Sequence, residues 1–496
     1  MGTIKQLLGQ TIIYGFSSVI ARVLNFLLVP LYTILFIPSE YAVVSEMYAY
    51  AAFLMVFGSF GMETAFFRFI ETSKYKNLNI FGTAFIFVFV NASILLFLGI
   101  LFYTKIAAII QHVNHPEYVL IFLFIISLDL ISIIPFSLLR QRNQAFKFAT
   151  IKTINIIINI FFNIFFLIVC PFFIEQDILK NFINYIYNPS ISIGYVFISN
   201  LIASIVTLLI LIPEIKYNIS KPDFKILKKM IYYAWPIFIA GLAFMINESA
   251  DKILIKYLLP KGIAMRELGI YSACYKLSIF MTLFVQAYRF AAEPFFFNQF
   301  TKPNSKKTYS LMLEVFVLVA LLIFLFVTMY IDIIKLIIPN SLYHEGIVII
   351  PIVLLANIFL GIYYNLSVWY KVTNQTKYAA IISLIGATIT IVLNFLLIPK
   401  YGYIGAAWVT LICYTVMMFT SYYLGQKKFK IEYKKKSIIS YFIFAAICFY
   451  ISTLFTQKIY MNIQIDNTIL FGLYIIFIYF QLKRIFRENK FKNISL

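Results

Sequence analysis

Charged and amide side chains lie inside segments of this sequence that are otherwise apolar and long enough to cross a lipid bilayer. The stretch from Asn247 to Pro294 contains two such segments, each with the roughly 20 residues that a membrane helix needs. Its charged and amide residues are Asn247, Glu248, Asp251, Lys252, Lys276, Gln286, Arg289 and Glu293. An ionised side chain in the middle of a membrane helix costs roughly 2.5 to 3.5 kcal/mol, so several together need partners or a hydrated cavity. The stretch is therefore our first candidate for a functional site.

The second segment of this stretch presents a mixed polar face. Gln286, Arg289 and Glu293 are separated by three and four residues, so they share one side of a helix. Arg289 and Glu293 can pair along that side. Two interpretations remain open, a buried ion pair that only fixes helix packing and an arginine that faces an anionic substrate. Lys276 projects to a different side, where it could line the same site or contact another helix.

The first segment carries two pairs at a spacing of four residues. Asn247 and Asp251 lie on one face, and Glu248 and Lys252 lie on the adjacent face. Glutamate four residues before lysine is the favourable orientation for an ion pair within a helix. This pairing leaves Asp251 as a carboxylate that could exchange a proton or hold a sodium ion. The alternative is that Asp251 lies near the outer headgroups and is solvated.

A further polar stripe runs along the first apolar segment of the chain. It contains Tyr14, Ser18, Arg22 and Asn25, with Arg22 roughly midway across the membrane. Arg22 either extends to the interface or faces a cavity. The planar guanidinium of arginine suits phosphate oxygens, so the second interpretation predicts an anionic ligand.

Other apolar segments also contain acids and amides. The acids are Glu46, Glu63 and Asp129. Each is a candidate for ion coupling or gating, because intramembrane acids often mark proton or ion pathways. Asn155, Asn159 and Asn163 recur every four residues and form a ridge, which predicts hydrogen bonds between helices or contact with a sugar.

Several other kinds of chemistry lack their usual signals. His112 and His115 have no third metal ligand nearby in the sequence. The cysteines lie in apolar segments without metal or redox spacing, at Cys170, Cys274, Cys413 and Cys448. The sequence also has no glycine-rich loop of the kind that cradles phosphates. We therefore expect no metal, no cofactor and no hydrolysis of ATP.

The elements that position these residues are membrane helices. The chain has 496 residues, of which 62% are hydrophobic and 12% charged, and its mean hydropathy is +0.90. We predict an all-α polytopic membrane protein with about 14 spans. They run approximately over 10–36, 42–68, 80–104, 117–139, 148–174, 190–213, 230–257, 267–299, 309–334, 345–370, 377–399, 403–425, 438–457 and 467–485.

The net charge of +21 is distributed in a way that predicts topology. Basic residues cluster in alternate short connections between the spans, which is the positive-inside pattern and not a nucleic-acid patch. Both termini are then cytoplasmic. No small-residue cleavage site follows Met1 to Gln10, so we expect the first span to be retained.

A weak internal repeat indicates two related halves. Glu40 to Ser45 and Glu267 to Ser272 place Glu and Ser at matching offsets, and each follows a proline, although a match this short also arises by chance. If the repeat is real, two six-helix lobes surround a central cavity, a common plan in transporters. The predicted parts are an N-lobe at 1–215, a cytoplasmic linker at 216–229, a C-lobe at 230–426, and two appended helices with a tail at 427–496.

Three stretches of the chain resemble a known family. Phe60 to Phe69, Gln286 to Phe295 and Asn394 to Ala407 are similar to bacterial polysaccharide-unit flippases of the Wzx type. The likeness covers most of the first twelve spans. The resemblance implies membership of the superfamily that includes multidrug extruders and the lipid II flippase, with two six-helix lobes around a V-shaped cavity. The lipid II flippase also has fourteen helices, whereas many Wzx-type members have twelve.

The resemblance implies a non-enzymatic function. The expected activity is flipping of an undecaprenyl-pyrophosphate-linked oligosaccharide, such as an O-antigen or capsule repeat unit, to the outer leaflet of the bacterial inner membrane. Arg22 and Arg289 would clamp the pyrophosphate, with Lys252 and Lys276 as further cavity cations. Asn25, Asn159, Asn247 and Gln286 would line the cavity, and the last two helices could hold the lipid tail.

The residues leave other functions open. The alternatives are a lipid II-type flippase, a multidrug or cation antiporter of the same superfamily and, more distantly, a membrane glycan polymerase or ligase. A cationic drug favours an acidic cavity, and polymerases or ligases tend to have a large outer loop that is not evident here. The expected partners are the lipid-linked oligosaccharide, membrane lipids, a coupling proton or sodium ion, and glycan polymerase or ligase machinery.

Overall fold

The computed structural model describes residues 22–71, 79–176, 180–219, 221–300, 302, 304–373, 375–454, 459–460 and 463–490. Within these residues the protein is helical except for one short hairpin, which confirms the predicted all-α membrane fold. The chain divides into two compact units, Met1–Lys256 and Tyr257–Leu496. The predicted positions Tyr14 and Ser18 lie outside the described residues, and the predicted lobe boundaries stay a prediction.

Ten helices make up the described part of the first unit, and the last of them runs two residues past its boundary. They are α1 Leu28–Leu35, α2 Pro38–Ser59, α3 Met62–Ile70, α4 Ile80–Ile109, α5 Pro116–Gln141, α6 Ala145–Ile164, α7 Cys170–Glu175, α8 Lys180–Ile186, α9 Gly194–Asn218 and α10 Phe224–Leu258, with a π-turn at Phe165–Val169 and a 3₁₀ turn at Pro189–Ile191. Helix α5 packs against α4 and α9, and α9 packs against α6.

Local sequence signals set the ends of several of these helices. Pro38 occupies the first turn of α2, where its missing N–H costs nothing, and the Glu40 carboxylate accepts a 3.2 Å hydrogen bond from the backbone N–H of Ile37. The break between α2 and α3 lies at Phe60 and Gly61, which both have positive φ. At Gly61 a side chain would also crowd the Ala234 carbonyl of α10.

The second unit contains longer helices and the hairpin. Its elements are α11 Lys261–Lys276, α12 Ile279–Phe300, α13 Ser305–Met329, α14 Ile331–Ile334, α15 Ile350–Leu366, α16 Val368–Val372, α17 Lys377–Lys428, α18 Lys435–Leu454, β1 Ile459–Tyr460, β2 Ile463–Gln464 and α19 Ile465–Lys490, with 3₁₀ turns at Lys335–Ile337 and Ser341–Ile349. Strands β1 and β2 are antiparallel, with Ile459 opposite Gln464.

Helix α17 is a folded-back pair and not one rod. Its 52 residues would extend about 78 Å, more than twice the thickness of the hydrocarbon core. The backbone breaks at Gly402, where φ is 59° and ψ is −143°. The Glu267 carboxylate of α11 occupies the space that a side chain at Gly402 would need, and it accepts a hydrogen bond of 3.1 Å from the Tyr403 N–H. Glycine is thus required for the turn to form.

The number of spans agrees with about fourteen crossings. Eleven described helices are long and apolar enough to cross a membrane, and α11 with α12 adds a twelfth as one span bent by 52°. The break in α17 turns one of these helices into two crossings. The helical stretch Arg22–Leu35, which ends in α1, supplies the described end of the first predicted span.

The last two long helices are attached to α13 at both ends. Near one end, the buried Glu314 carboxylate of α13 accepts two hydrogen bonds. One comes from Tyr441 Oη of α18 at 2.7 Å, and the other comes from Arg484 Nη2 of α19 at 3.1 Å. Near the other end, Asn467 Nδ2 of α19 donates a hydrogen bond of 2.6 Å to the Met329 carbonyl. Ser452 Oγ of α18 donates a hydrogen bond of 2.7 Å to Asn467 Oδ1. Polar side chains thus fix α18 and α19 against α13.

Candidate functional site

Arg289 of α12 and Lys371 of α16 share one carboxylate. Arg289 Nε donates a hydrogen bond of 3.0 Å to Glu293 Oε1, and this is the pair that the sequence spacing predicted. Lys371 Nζ donates a second hydrogen bond, of 2.6 Å, to the same oxygen. The Arg289 side chain is 45% exposed, and its guanidinium lies 4.8 Å from the ring centre of Tyr364. Two cations and one carboxylate leave these three side chains, here called the Arg289 cluster, with one net positive charge.

The surroundings of the Arg289 cluster combine packed aromatic rings with one unused acceptor. Gln286 lies one turn before Arg289, and its side-chain oxygen is buried without a hydrogen-bond donor among the described residues. Tyr288 Oη donates 2.5 Å to Asn365 Oδ1. In the connection before α18, burial raises the pKa of Tyr433, which packs against the adjoining apolar core and stays a neutral phenol.

Lys371 was missed by the sequence analysis, which placed it in a connection between spans. It follows Tyr370 near the end of α16, where a lysine is normally read as a headgroup-level residue. Its role depends on the adjacency of α12 and α16, which no local pattern reveals. The pairing brings Arg289 close to the end of the span that carries Lys371.

In the first unit, a row of polar side chains connects four helices. The Asp129 carboxylate of α5 accepts a hydrogen bond of 2.8 Å from Ser204 Oγ of α9. Asn200 Nδ2 of α9 donates a hydrogen bond of 2.7 Å to Tyr48 Oη of α2. Asn155 Nδ2 of α6 donates 2.9 Å to Thr207 Oγ1 of α9. Lys152 of α6 interacts electrostatically with Asp129. These contacts place Asp129 in a layer of polar side chains that joins α2, α5, α6 and α9.

The other asparagines of the α6 ridge are also bonded. Asn163 accepts 2.9 Å from Tyr32 Oη of α1 at its side-chain oxygen, and its Nδ2 donates 3.0 Å to Asn159 Oδ1. Asn155 and Asn163 therefore both serve hydrogen bonding between helices. The proposed sugar contact of Asn159 stays a prediction.

Glu46 lies in a buried ionic cluster that the sequence analysis did not assemble. Lys256 Nζ of α10 donates 2.6 Å to Glu46 Oε1 of α2, and His112 Nε2 lies 2.9 Å from Glu46 Oε2. Lys256 also donates 2.5 Å to the Ile110 carbonyl. Glu46 is fully buried, and Lys256 and His112 are nearly so. These three side chains are called the Glu46 cluster below.

On α10 the predicted pairing is wrong in one respect. Lys252 Nζ lies 3.1 Å from Asp251 Oδ1, so Asp251 is not left over as an unpaired carboxylate. The adjacent positions of Asp251 and Lys252 were judged by helical face alone, but a long lysine chain can fold back to its neighbour. Lys252 also donates 3.1 Å to the Glu248 carbonyl. Asn247 and Asp251 are both buried.

The remaining predicted residues are more exposed. Glu63 of α3 pairs with Arg140 of α5 at 2.7 Å, and both side chains are partly exposed. Arg22 and Asn25 are exposed along the helix Arg22–Leu35, and Lys276 is exposed at the end of α11. Arg22 and Arg289 belong to different units, so their common central space stays a prediction.

The first unit also contains an apolar cavity of about 700 Å³. Its wall is formed by α2, α4, α5 and α10, and it includes Met47, Phe57, Phe102, Phe122 and Ile253. Such a lining suits hydrocarbon and offers nothing to a glycan.

The structure thus defines an α-helical multi-pass membrane protein with charged clusters inside its helical units. The chain belongs to the polysaccharide biosynthesis protein family, whose sequence model matches residues 7–300. This membership confirms the resemblance to polysaccharide-unit exporters at the level of family. No curated protein gave a significant match to the sequence.

Solved structures share the fold. The lipid II flippase MurJ in an inward closed conformation is similar with a TM-score of 0.71 and 18% identity, covering 95% of this chain and 99% of that chain. An inward-facing multidrug resistance MATE family transporter of the MOP superfamily is similar with a TM-score of 0.63 and 11% identity, covering 84% of this chain and 94% of that chain. The MATE multidrug transporter DinF-BH, solved as a complex, has a TM-score of 0.61 and 14% identity, covering 85% of this chain and 95% of that chain. At these identities the likeness concerns the fold.

Proposed function

We propose that this protein flips an undecaprenyl-pyrophosphate-linked oligosaccharide from the cytoplasmic to the outer leaflet of the bacterial inner membrane by alternating access. The family match supports a role in polysaccharide biosynthesis, and the fold is shared with a lipid II flippase. The observation that carries the proposal is the Arg289 cluster, a partly exposed group with one net positive charge inside a helical membrane unit. A cluster of this sign favours an anionic headgroup over a cationic drug.

The geometry of the Arg289 cluster suits a pyrophosphate. The planar guanidinium can donate two parallel hydrogen bonds to phosphate oxygens, and the Lys371 ammonium adds a point charge beside it. Within the cluster Glu293 holds both cations in place. In the predicted topology Lys371 lies at the cytoplasmic end of its span, which is the level of the inner-leaflet headgroups.

Other parts of the substrate would meet other residues. Arg22 is the proposed second clamp for the pyrophosphate, with Lys252 and Lys276 as further cations. The glycan would occupy an aqueous cavity lined by Asn25, Asn159, Asn247 and Gln286. The lipid tail would stay in the bilayer or against α18 and α19, and the product would pass to glycan polymerase or ligase machinery.

Ion coupling or gating is assigned to acids that lie within the spans. Asp129, Asp251, Glu46, Glu63 and Glu293 are the candidates for binding a proton or sodium ion. Asp129 is held by one serine hydroxyl within a polar layer, which leaves acceptor positions for an ion. Glu63 and Glu293 are paired with cations at partly exposed positions, so gating suits them better.

A flipping assay in proteoliposomes tests the proposal. The lipid-linked oligosaccharide carries a fluorophore on its glycan, and a membrane-impermeant quencher reports how fast the glycan changes leaflet. We expect faster exchange than in protein-free liposomes, near-complete loss in Arg289→Ala, and retention in Arg266→Ala, whose exposed pair with Glu345 lies elsewhere. A fluorescent phosphatidylcholine should not be flipped.

Two outcomes would overturn the flippase assignment. Exchange of the glycan lipid at the protein-free rate would exclude it directly. Uptake of a cationic dye, without exchange of the glycan lipid, would favour the multidrug antiporter instead.

A further inference from the structure

The Glu46 cluster brings together three titratable groups from distant parts of the chain. Glu46 lies on α2, His112 lies in the turn after α4, and Lys256 lies in the last turn of α10. His112 is only 10% exposed, Lys256 is 3% exposed and Glu46 is fully buried. Burying an ionised group is costly unless it is paired, so the charge state of each group depends on the other two.

With Glu46 ionised, the distances define one arrangement of protons in the cluster. An ionised carboxylate only accepts hydrogen bonds, so the 2.9 Å contact requires a hydrogen on His112 Nε2. Lys256 carries its full set of donors and gives them to Glu46 and the Ile110 carbonyl. With neutral His112, the charges of Glu46 and Lys256 cancel, and His112 Nδ1 is the position where one more proton can bind.

A proton at this position changes the balance of forces. It raises the net charge of the cluster from zero to one positive charge. The imidazolium is attracted to Glu46 but repelled by the Lys256 ammonium, since Nε2 and Nζ are only 3.4 Å apart. Lys256 is the last residue of the first compact unit, and α10 ends two residues later. Proton uptake therefore weakens the hold on the segment that leads into the second unit.

We propose that Glu46, His112 and Lys256 form a proton-binding site that exchanges its proton with water during the transport cycle. This proposal rests on the transport function proposed above and assigns the proton as the coupling ion. The proton enters from the aqueous phase onto His112 Nδ1 and leaves from the same atom, so no other reactant is needed.

The other charged groups in this region have ion-pair or hydrogen-bond partners of their own. On α10, one turn before Lys256, Asp251 pairs with Lys252 at 3.1 Å. At the start of α5, His115 pairs with Glu117 at 2.8 Å. Glu40 at the start of α2 caps the backbone of its own helix. The Glu46 cluster differs from these groups in its nearly buried histidine, which can take up a proton beside a fully buried carboxylate.

Selective NMR of the histidines tests the site without any transport assay. The chain has three histidines, so labelled protein in lipid gives three imidazole signals, which His115→Gln and His344→Gln assign by elimination. Glu46→Gln removes the attraction between His112 and the carboxylate and should lower the titration midpoint of His112. Lys256→Met removes the repulsion and should raise that midpoint, while Lys256→Arg should leave it unchanged. The His115 midpoint should not move in any of these variants.

The opposite signs separate the proposal from simple structural damage. A misfolded cluster would move His112 toward the behaviour of free histidine in every variant. Midpoints that shift in the same direction in Glu46→Gln and Lys256→Met, or that do not shift, overturn the proton site.

Coupling is then measured in the flipping assay with a pH dye inside the liposomes. We expect a proton gradient to accelerate flipping several-fold, and His112→Gln to abolish the acceleration. Wild-type flipping that ignores the gradient overturns the coupling role while leaving the flippase assignment intact. If no flipping occurs at all, the flippase assignment fails, and the NMR titration still decides the proton site.

Discussion

Lys256 and Glu46 are 210 positions apart in the sequence, and their side chains meet at 2.6 Å inside the first unit. Both charges are removed from solvent, so each compensates the desolvation of the other. Removing one partner of such a pair therefore lowers the stability of the fold much more than replacing both partners by apolar groups.

This asymmetry predicts the outcome of a double-mutant cycle. Lys256→Met should lower the free energy of unfolding by about 3 to 5 kcal/mol, because Glu46 is left buried without its cation. Adding Glu46→Leu should recover most of that loss. The measurement is thermal or chemical unfolding in detergent, with Arg266→Met as the control, whose exposed pair with Glu345 is worth about 0 to 1 kcal/mol. Additive losses in the double variant would contradict the prediction.

The shared carboxylate of Glu293 predicts opposite effects of mutation on substrate affinity. Glu293→Gln releases Arg289 and Lys371 from their internal acceptor, so binding of the pyrophosphate lipid should become tighter by about tenfold. Arg289→Ala and Lys371→Ala should each weaken binding by about 10- to 100-fold. Affinity is measured by titrating the lipid into purified protein at low and high salt, and the differences should shrink at high salt.

Lys335→Ala serves as the control for this series, because its pair with Asp332 lies on α14 and its neighbouring 3₁₀ turn. Weaker binding in Glu293→Gln would show that the carboxylate itself contacts the substrate. Equal binding in all variants would exclude the Arg289 cluster as the headgroup site.

Gly402 provides a test of the turn inside α17. An alanine there would have φ near 59°, and its Cβ would lie 2.2 Å from Glu267 Oε2. Gly402→Ala should therefore lower the melting temperature, at a cost of about 1 to 3 kcal/mol. Gly262→Ala is the matched control, because nothing lies within 4 Å of its Cβ and alanine favours the helix by about 0.5 to 1 kcal/mol. A neutral Gly402→Ala would mean that Glu267 does not hold the turn.

Features that depend on composition or on short spacing could be predicted from the sequence. Long apolar segments report membrane spans directly, since the backbone has to satisfy its hydrogen bonds within lipid. The pair of Arg289 with Glu293 was predictable because residues four apart on one helix are neighbours whatever the helix packs against.

Features that depend on which helices are adjacent could not be predicted. Lys371 was placed in a connection and Lys256 at the end of a predicted span, and both hold carboxylates on other helices. His112 was considered only as a metal ligand, although its actual partner is an acid 66 positions away. In each case one partner was recognised as out of place in lipid, but nothing in the local pattern identifies the second partner.

Glu314 allows a test of how α18 and α19 are held. Glu314 is fully buried, whereas its partners Arg484 and Lys434 are partly exposed and can turn toward water. Glu314→Leu should therefore loosen α18 and α19 at a small cost in overall stability, seen as faster hydrogen exchange over 435–490. Arg484→Ala with Lys434→Ala leaves Tyr441 as the partner of the buried carboxylate among the described residues and should be more destabilising, by about 3 to 5 kcal/mol. Asp332→Ala, which removes a partly exposed pair of the same unit, is the control. If Glu314→Leu proves more destabilising than the double variant, the carboxylate contributes through its packing against α18 and not through its charge.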